Sequence, residues 1–227
     1  MSNITFICEG PSEKNLVNFI LEPYWKGKGL HILCNPIIIG EGNPRCNGTG
    51  GDISYNRLKI DLSSAMNDDK DNSFFTTIFD FYGLHGDWPG MDLFRDEMSA
   101  SEKVATIERE TKNNLITEYP ILSISERFVP FFMLHEYESL LFSSPSAITE
   151  ITRARQATEQ LETILSNFNS MPEEINTQSS PSNRLASAKA NYSKMYHAHQ
   201  IVKLIGIDTI RSKCPHFNDW MTNLEQL

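Results

Sequence analysis

The chain has 227 residues, of which 40% are apolar and 22% charged, so it can bury a sizeable core and is not a disordered chain. No apolar run reaches the roughly 18 to 20 residues of a membrane-spanning helix, and the first residues lack the basic region of a signal peptide. The four cysteines are far apart and form no C-x-x-C pair, so neither a zinc knuckle nor a disulfide framework is indicated. We therefore expect a soluble, cytoplasmic protein.

The charge is unevenly distributed along the chain. The net charge is −9, which disfavours binding to nucleic acid on average. Residues 181–216, however, contain six basic residues and one acid, Asp208, so this segment carries +5 and the remainder −14. The basic segment could contact a polyanion locally, or it could be a solvated, lysine-rich helical face.

Strand and helix patterns alternate through the first two thirds of the chain. Apolar β-type runs are predicted at residues 4–8, within 31–39, at 74–79 and at 128–134. Helices are predicted from Ser12, as the N-cap, to Pro23, and at residues 57–66, 101–116 and 138–142. The glycine-rich residues 40–52 lack the G-K-[ST] ending of a phosphate-binding loop and are predicted to be a mobile connection.

The alternation predicts an α/β fold with a mostly parallel sheet flanked by helices. This core is expected to span residues 1–146. Residues 147–227 are expected to form a helical region packed on it, with helices at about 147–168 and 184–205 and a polar break between them. We expect the two regions to form one compact domain.

Acidic residues follow three of the most apolar predicted strands. Glu9, Asp80 and Glu136 lie at or just beyond those strand ends, and Glu13 and Glu138 follow nearby. Because the carboxyl ends of parallel strands meet at one edge of a sheet, these acids are expected to converge there. Oxygen ligands suit Mg²⁺ or Mn²⁺, and two such ions could clamp a phosphodiester. The alternative is that the acids cap helices or complement helix dipoles, above all Glu13 and Glu138.

Four segments resemble a bacterial family catalogued as domain of unknown function (DUF) 4276, over nearly the whole chain. They are CEGPSEKNLV, TTIFDFYGLHGDWPG, RFVPFFMLHEYESLLF and SNRLASAKANYSKMY with the later KCPHFNDWM. That family is similar to the Toprim-like fold of topoisomerases, primases and overcoming-lysogenization-defect (OLD) nucleases. In those enzymes a glutamate after the first strand and an Asp-x-Asp pair after a later strand hold Mg²⁺.

The resemblance assigns roles to individual residues. Glu9 matches the first-strand glutamate, Glu9 with Glu13 resembles the E-x-x-x-E of the nuclease branch, and Asp80 matches the first aspartate of the pair. The second aspartate is replaced by Tyr82. A tyrosine is a poor Mg²⁺ ligand at neutral pH, because the unperturbed phenol of this residue type ionises only at about pH 10. Glu136 or Glu138 would have to supply the missing ligand.

Other side chains near this edge have two interpretations each. His135 could be a general acid or base, a phosphate contact, or a hydrogen-bonded structural histidine. Lys194 and Arg184 could stabilise a pentacovalent phosphate, as a basic residue does in related nucleases, or pair with the acids. Trp88 and Tyr82 could stack on bases, although burial against the neighbouring glycine-containing loop is the favoured interpretation.

The expected function is that of a Mg²⁺-dependent nuclease acting on DNA or RNA. The expected catalytic residues are Glu9, Asp80, Glu136, His135 and Lys194, and the expected metal ligands are Glu9, Glu13, Asp80, Glu136 and Glu138. Relatives look to be encoded beside ABC-type ATPases in phage-defence loci, and this chain has no Walker motif. The resemblance therefore implies an anti-phage effector with an ATPase partner.

Two alternatives remain open. The chain could be a non-catalytic adaptor that binds the ATPase, which Tyr82 favours, or a small-molecule phosphotransferase that uses the same acids.

Overall fold

A computed structural model of the protein describes residues 2–41, 53–69, 72–175 and 179–227. Among these residues one parallel sheet has five strands: β1 (Ser2–Cys8), β2 (Ile32–Ile38), β3 (Phe74–Asp80), β4 (Phe128–Val129) and β5 (Phe132–Met133). The strand order is β2-β1-β3-β4, and β5 also pairs with β3. The predicted α/β class with a parallel sheet is confirmed. The predicted mobile connection falls mostly at residues 42–52, outside the described residues.

Helices cover both faces of the sheet. In chain order they are α1 (Pro11–Leu16), α2 (Glu22–Gly27), α3 (Tyr55–Asp68), α4 (Ala100–Glu118), α5 (Ile124–Arg127), α6 (Pro145–Ile151), α7 (Thr158–Ser166), α8 (Pro181–Ser187), α9 (Lys194–Ile205), α10 (Ile207–Lys213) and α11 (Pro215–Glu225). Short 3₁₀ turns occupy Phe81–Gly83, Met91–Leu93, Tyr137–Ser143, Arg155–Ala157 and Pro172–Glu174. The helix predicted at residues 138–142 is thus a 3₁₀ turn.

The predicted strand at residues 128–134 is interrupted in its middle. Pro130 separates β4 from β5, because a proline has no N–H to continue a strand ladder. The gap is bridged by the Thr77 hydroxyl of β3, which accepts a hydrogen bond from the Phe131 N–H at 2.8 Å and donates one to the Phe131 carbonyl at 2.9 Å. The sheet therefore stays continuous through a side chain.

The first helix begins earlier and ends later than predicted. Gly10, not Ser12, is the N-cap, because its backbone is extended and its carbonyl accepts the first helical hydrogen bond, from the Lys14 N–H at 3.2 Å. Its own N–H donates to the Glu13 carboxylate at 3.0 Å. Pro23 does not end the helix. Instead the backbone passes through a π-helical turn, Val17–Leu21, and continues to Gly27. This turn shifts the hydrogen-bond register so that Pro23 falls in the first turn of α2, where a missing N–H is tolerated.

The predicted C-terminal helices are each divided in two. The segment at 147–168 breaks after α6, where Arg153 has a left-handed backbone (φ 55°). The segment at 184–205 breaks between α8 and α9, where Lys189 and Asn191 are left-handed (φ 52° and 51°). The second break turns the chain, and α9 begins after it at Lys194.

Two hydrophobic cores lie on the two faces of the sheet. One packs α3 and α4 against Phe75 and Phe79 of β3. The other joins β1 and the first helices to the C-terminal helices, and in it Trp220 of α11 stacks on Phe131 with ring centroids 4.3 Å apart. Residues on both sides of the predicted boundary at 146/147 therefore share one core. In the described part of the chain, no helix is both long and apolar enough to span a bilayer.

Candidate carboxylate site at the sheet edge

The sheet has a topological switch point between β1 and β3. The chain leaves β1 for β2 on one side of the sheet and returns to β3 on the other, and Cys8 of β1 lies opposite Ile78 of β3. In open α/β sheets, ligands bind in the crevice beyond the carboxyl ends of such strands. Glu9 and Asp80 stand at these two ends. The Asp80 N–H donates a hydrogen bond to Oε2 of Glu9 at 3.1 Å.

Glu13 lies in the first turn of α1, directly beyond β1. It is 2% exposed, and its Oε2 accepts the hydrogen bond from the Gly10 N–H. The capping role that the sequence left open is thus real. The other carboxylate oxygen, Oε1, lies 3.1 Å from Nζ of Lys194, so the capping residue also belongs to the acidic group at the sheet edge.

The segment after β5 adds the next carboxylate. The backbone N–H of Tyr137 donates to Oδ1 of Asp80 at 2.9 Å, which ties this segment to the end of β3. Glu138 follows and is 4% exposed, and its Oε1 accepts a hydrogen bond from the hydroxyl of Tyr192 at 3.3 Å. We call Glu9, Glu13, Asp80 and Glu138 the carboxylate site.

Lys194 brings a positive charge into the carboxylate site. Its Nζ lies 3.1 Å from Glu13, 3.4 Å from Asp80 and 3.8 Å from Glu138, and 5.5 Å from the centre of the Tyr137 ring. The lysine side chain is 33% exposed, whereas those of its three partners are 11% exposed or less. Of the two interpretations of Lys194, the ion pair with the acids is the one that the structure contains.

The carboxylate site carries more negative charge than Lys194 can balance. Four ionised carboxylates against one ammonium leave a surplus of three negative charges. Burial, together with repulsion from the other carboxylates, raises the pKa of Glu9, and it raises that of Asp80 well above its usual range. Burial also raises the pKa of Glu138, and Lys194 opposes all three increases. Such a group is tolerated only with bound protons or additional cations.

The pKa of Lys194 shifts in the complementary direction. Burial alone would lower it, but the charges of Asp80, Glu13 and Glu138 outweigh burial and raise the pKa well above its usual value. The ammonium therefore stays charged at neutral pH, in a position between three carboxylates.

The donor atoms fit a hard divalent cation, but their present arrangement does not hold one ready-made. Oxygen ligands with surplus negative charge are the set that Mg²⁺ and Mn²⁺ prefer. Within the residues that the structure describes, however, no three His, Cys, Asp or Glu side chains are already grouped as metal ligands. A divalent ion would have to displace the Lys194 ammonium, which its long and partly exposed side chain allows.

Glu136 and His135 are placed differently from these acids. The Glu136 carboxylate accepts a hydrogen bond from the backbone N–H of Ser182, at the start of α8, at 2.9 Å. Its charge contributes to the raised pKa of Glu138, so it is near the carboxylate site. The assignment of Glu136 as a ligand stays a prediction.

His135 is a neutral, buried ring. It is 1% exposed, and burial lowers its pKa to about 4 although Glu136 partly opposes this. Neither ring nitrogen has a hydrogen-bond partner among the described residues, so the structural role with a hydrogen bond is not observed. The ring stacks on Tyr82 instead, with centroids 5.2 Å apart and an interplanar angle of 25°.

The remaining candidates divide into buried and exposed residues. Trp88 is 2% exposed, and its indole N–H donates to the Ile53 carbonyl at 3.0 Å, as the burial interpretation predicts. For Tyr82 that interpretation is wrong, because its side chain is 58% exposed on the turn after β3. Arg184 packs over the Phe168 ring at 4.9 Å and donates to the carbonyl of Ser179.

Sequence reasoning missed three residues that shape the site. Tyr137 orients Asp80 through its N–H, Tyr192 orients Glu138 through its hydroxyl, and Gly83 lies against Glu9, where an added Cβ would be 3.6 Å from Oε1. The only sequence signal for Tyr137 is its place between Glu136 and Glu138. Tyr192 has no such sequence signal, since it lies 54 residues from Glu138 along the chain.

Comparison with known proteins identifies the family. No curated protein and no solved structure gives a match to this chain. A family model described as Domain of unknown function (DUF4276) matches residues 8–225, a span that includes every member of the carboxylate site and Lys194. Because this match covers almost the entire sequence, the chain belongs to the DUF4276 family.

Proposed function

We propose that this protein is a Toprim-like hydrolase that cleaves phosphodiester bonds in nucleic acid and requires Mg²⁺ or Mn²⁺. The observation that carries the proposal is the convergence of four carboxylates at a topological switch point, with the ammonium of Lys194 close to three of them. The resemblance of Glu9 and Asp80 to the Toprim metal ligands supports the same conclusion. The Toprim relationship itself is part of the proposal.

Glu9, Glu13, Asp80 and Glu138 would hold the cation. When bound, the ion would polarise the phosphoryl oxygens and lower the pKa of a bound water. Glu138 would supply the carboxylate that the Asp-x-Asp pair loses at Tyr82, since Glu138 and Asp80 both contact Lys194. Glu136 would lie near these four ligands without being one of them.

The other residues of the site would keep these groups in place. The Tyr137 N–H and the Tyr192 hydroxyl hold Asp80 and Glu138 in fixed orientations before any substrate arrives. Lys194, once released from the acids, would place its ammonium against a non-bridging phosphate oxygen and stabilise the charge that develops there. His135 is uncharged at neutral pH, and its enclosed nitrogens have no hydrogen-bond partner among the described residues, so it would accept or donate a proton only after its surroundings open.

One observation favours a second function, that of a non-catalytic adaptor. Lys194 already neutralises part of the carboxylate site, and the acids could then serve only to fix α9 against the sheet. In that case the site would bind no metal, and the protein would act through the ATPase partner that the family resemblance implies. That partner, and a role in anti-phage defence, belong to the proposal in both versions.

The test is an assay of hydrolysis with Mn²⁺ on plasmid DNA, single-stranded DNA and tRNA, with p-nitrophenyl phosphate as a small-molecule substrate. Wild type is compared with Glu9→Ala and with Glu97→Ala, an exposed acid outside the site. The proposal requires polymer cleavage that Glu9→Ala loses and Glu97→Ala keeps. Turnover of the small phosphate alone would favour the phosphotransferase, and no hydrolysis with the ATPase partner present would favour the adaptor.

A further inference from the structure

An exposed aromatic residue lies on the turn that follows Asp80 of the carboxylate site. Tyr82 lies on the 3₁₀ turn Phe81–Gly83, which starts directly after Asp80. Its ring contacts two others: it stacks on His135, and it meets Phe81 in a T-shaped arrangement with centroids 5.5 Å apart. The side chain is nevertheless 58% exposed, so this ring is fixed in position and still accessible to a ligand.

The His135 ring, which stacks on Tyr82, lowers the stability of the fold because it is a buried imidazole. His135 is 1% exposed, and within the described part of the chain both of its nitrogens lack hydrogen-bond partners. A buried polar group without a partner costs about 1–3 kcal/mol, and such groups call for an explanation such as a functional role or an additional bound molecule. Phenylalanine would fill a similar space without that cost. Because these nitrogens are enclosed, the histidine would act on a ligand only through Tyr82, whose ring it supports.

The position of the turn places this ring within reach of a nucleotide whose phosphate occupies the carboxylate site. A Cβ at Gly83 would be 3.6 Å from Oε1 of Glu9, so the turn lies directly against the carboxylates. Tyr82 is two residues from Asp80, which limits the separation of their Cα atoms to about 7 Å. A base and its own phosphate could contact Tyr82 and the carboxylate site together.

We propose that Tyr82, supported by His135, stacks on an unpaired base, and that the substrate is single-stranded nucleic acid. This inference rests on the proposed function and names its substrate class. Aromatic side chains at single-strand sites stack on successive bases, whereas the bases inside a duplex are already stacked and present no free face. The tyrosine at the second position of the former Asp-x-Asp pair then binds the base, and no metal ligand is expected from it.

The inference is tested by binding, measured without cleavage. Fluorescence anisotropy is recorded with labelled 12-nucleotide oligo-dT and oligo-U and with a 12-base-pair DNA duplex, in Ca²⁺. The variants are Tyr82→Ala, Tyr82→Phe and Phe19→Ala. Phe19 is a matched control, because it is also 58% exposed and also contacts a histidine, His199, with ring centroids 5.9 Å apart.

We expect the single strands to bind and Tyr82→Ala to weaken that binding roughly 5- to 150-fold, the range for loss of one stacked base. Tyr82→Phe and Phe19→Ala are expected to stay within about twofold of wild type. A single 2-aminopurine in the oligonucleotide should be quenched on binding to wild type and not to Tyr82→Ala. The DNA and RNA strands separate the two polymer classes.

Three results would overturn the inference: equal affinity of Tyr82→Ala and wild type, equal or tighter binding of the duplex, or no binding of either strand. Failure of the proposed function gives a different result. A protein that stacks a base through Tyr82 but cleaves nothing would support this inference and contradict the hydrolase, whereas cleavage that is indifferent to Tyr82→Ala would do the reverse.

Discussion

The backbone N–H of Asp80 donates a hydrogen bond to the side chain of Glu9, and the Glu9 N–H donates to the Ile78 carbonyl at 3.1 Å, so the carboxyl ends of β1 and β3 are joined twice. Glu9 and Asp80 are 71 positions apart along the chain. Because β1 and β3 are neighbours in the sheet, these contacts form when the sheet forms. The carboxylate site is therefore built into the fold and does not depend on a flexible loop for two of its four acids.

Removing the ammonium should destabilise the protein when no metal is present. Lys194→Met leaves three carboxylates without their shared cation. Breaking a fully buried pair costs about 3–5 kcal/mol. Since Lys194 is about one-third exposed and screened by water, we expect about 1–3 kcal/mol here. The measurement is urea unfolding in EDTA and in Mg²⁺.

Lys203→Met is the control for this substitution, because Lys203 is an exposed lysine of the same helix. We expect it to change the free energy of unfolding by less than about 0.5 kcal/mol. Mg²⁺ should reduce the loss of unfolding free energy in Lys194→Met, since the ion replaces the missing positive charge. Equal stability of the two variants in EDTA would contradict the account.

Neutralising one acid should have the opposite effect, and the effect should depend on pH. Asp80→Asn keeps an oxygen to accept the Tyr137 N–H and removes one of the surplus charges. Because the pKa of Asp80 is raised in the folded protein, its folded state holds a proton more tightly than its unfolded state. The stabilising contribution of Asp80 to the free energy of unfolding of wild type is therefore complete below about pH 4. It is lost as the pH rises through the pKa that Asp80 has in the folded protein.

We therefore expect Asp80→Asn to be more stable than wild type by about 1 kcal/mol at pH 8 in EDTA, and to have no advantage at pH 4. Melting temperatures of the two proteins across this pH range check it. Adding Mg²⁺ at pH 8 should stabilise wild type and not the variant. If the stability of Asp80→Asn relative to wild type increased toward low pH, the inferred surplus of negative charge at the carboxylate site would be wrong.

The C-terminal helices should unfold together with the sheet. Trp220 of α11 is 3% exposed, stacks on Phe131, and donates its indole N–H to the Thr76 hydroxyl of β3 at 2.9 Å. Truncation of a buried tryptophan to alanine costs about 3–5 kcal/mol. Trp220→Ala should lower the stability of the whole protein by this amount, measured by urea unfolding followed by far-ultraviolet circular dichroism.

A single transition in both proteins is expected, with Trp220→Phe losing less because it keeps an aromatic ring on Phe131. Two transitions, of which only the first moved in Trp220→Ala, would mean that residues 147–227 form a separate folding unit.

The parallel sheet and the place of its acids could be predicted from sequence because both depend on local patterns. The apolar and β-branched composition of Phe74–Asp80 predicts a buried strand, and the last residue of such a strand must lie at the edge of the sheet. The helix boundaries were less predictable where distant groups decided them. Thr77 keeps the sheet continuous past Pro130, and a π-helical turn carries the first helix past Pro23.

The interior of the site depended on contacts that have no sequence signature. Lys194 lies 114 residues from Asp80 along the chain, and the turn between α8 and α9 that precedes it contains two residues with a left-handed backbone, Lys189 and Asn191. The stacking of Tyr82 on His135 joins two turns that follow different strands. Such pairings are set by tertiary packing, so the sequence could name these residues but not place them.

Calorimetric titration of Mn²⁺ into the metal-free protein tests the central claim most directly. The account predicts saturable binding that is lost in Glu9→Gln and in Asp80→Asn, both still folded by circular dichroism, and kept in Glu97→Gln, whose acid is exposed and outside the site. An absence of binding by wild type, or equal binding by all four proteins, would contradict a divalent-cation site at this edge of the sheet.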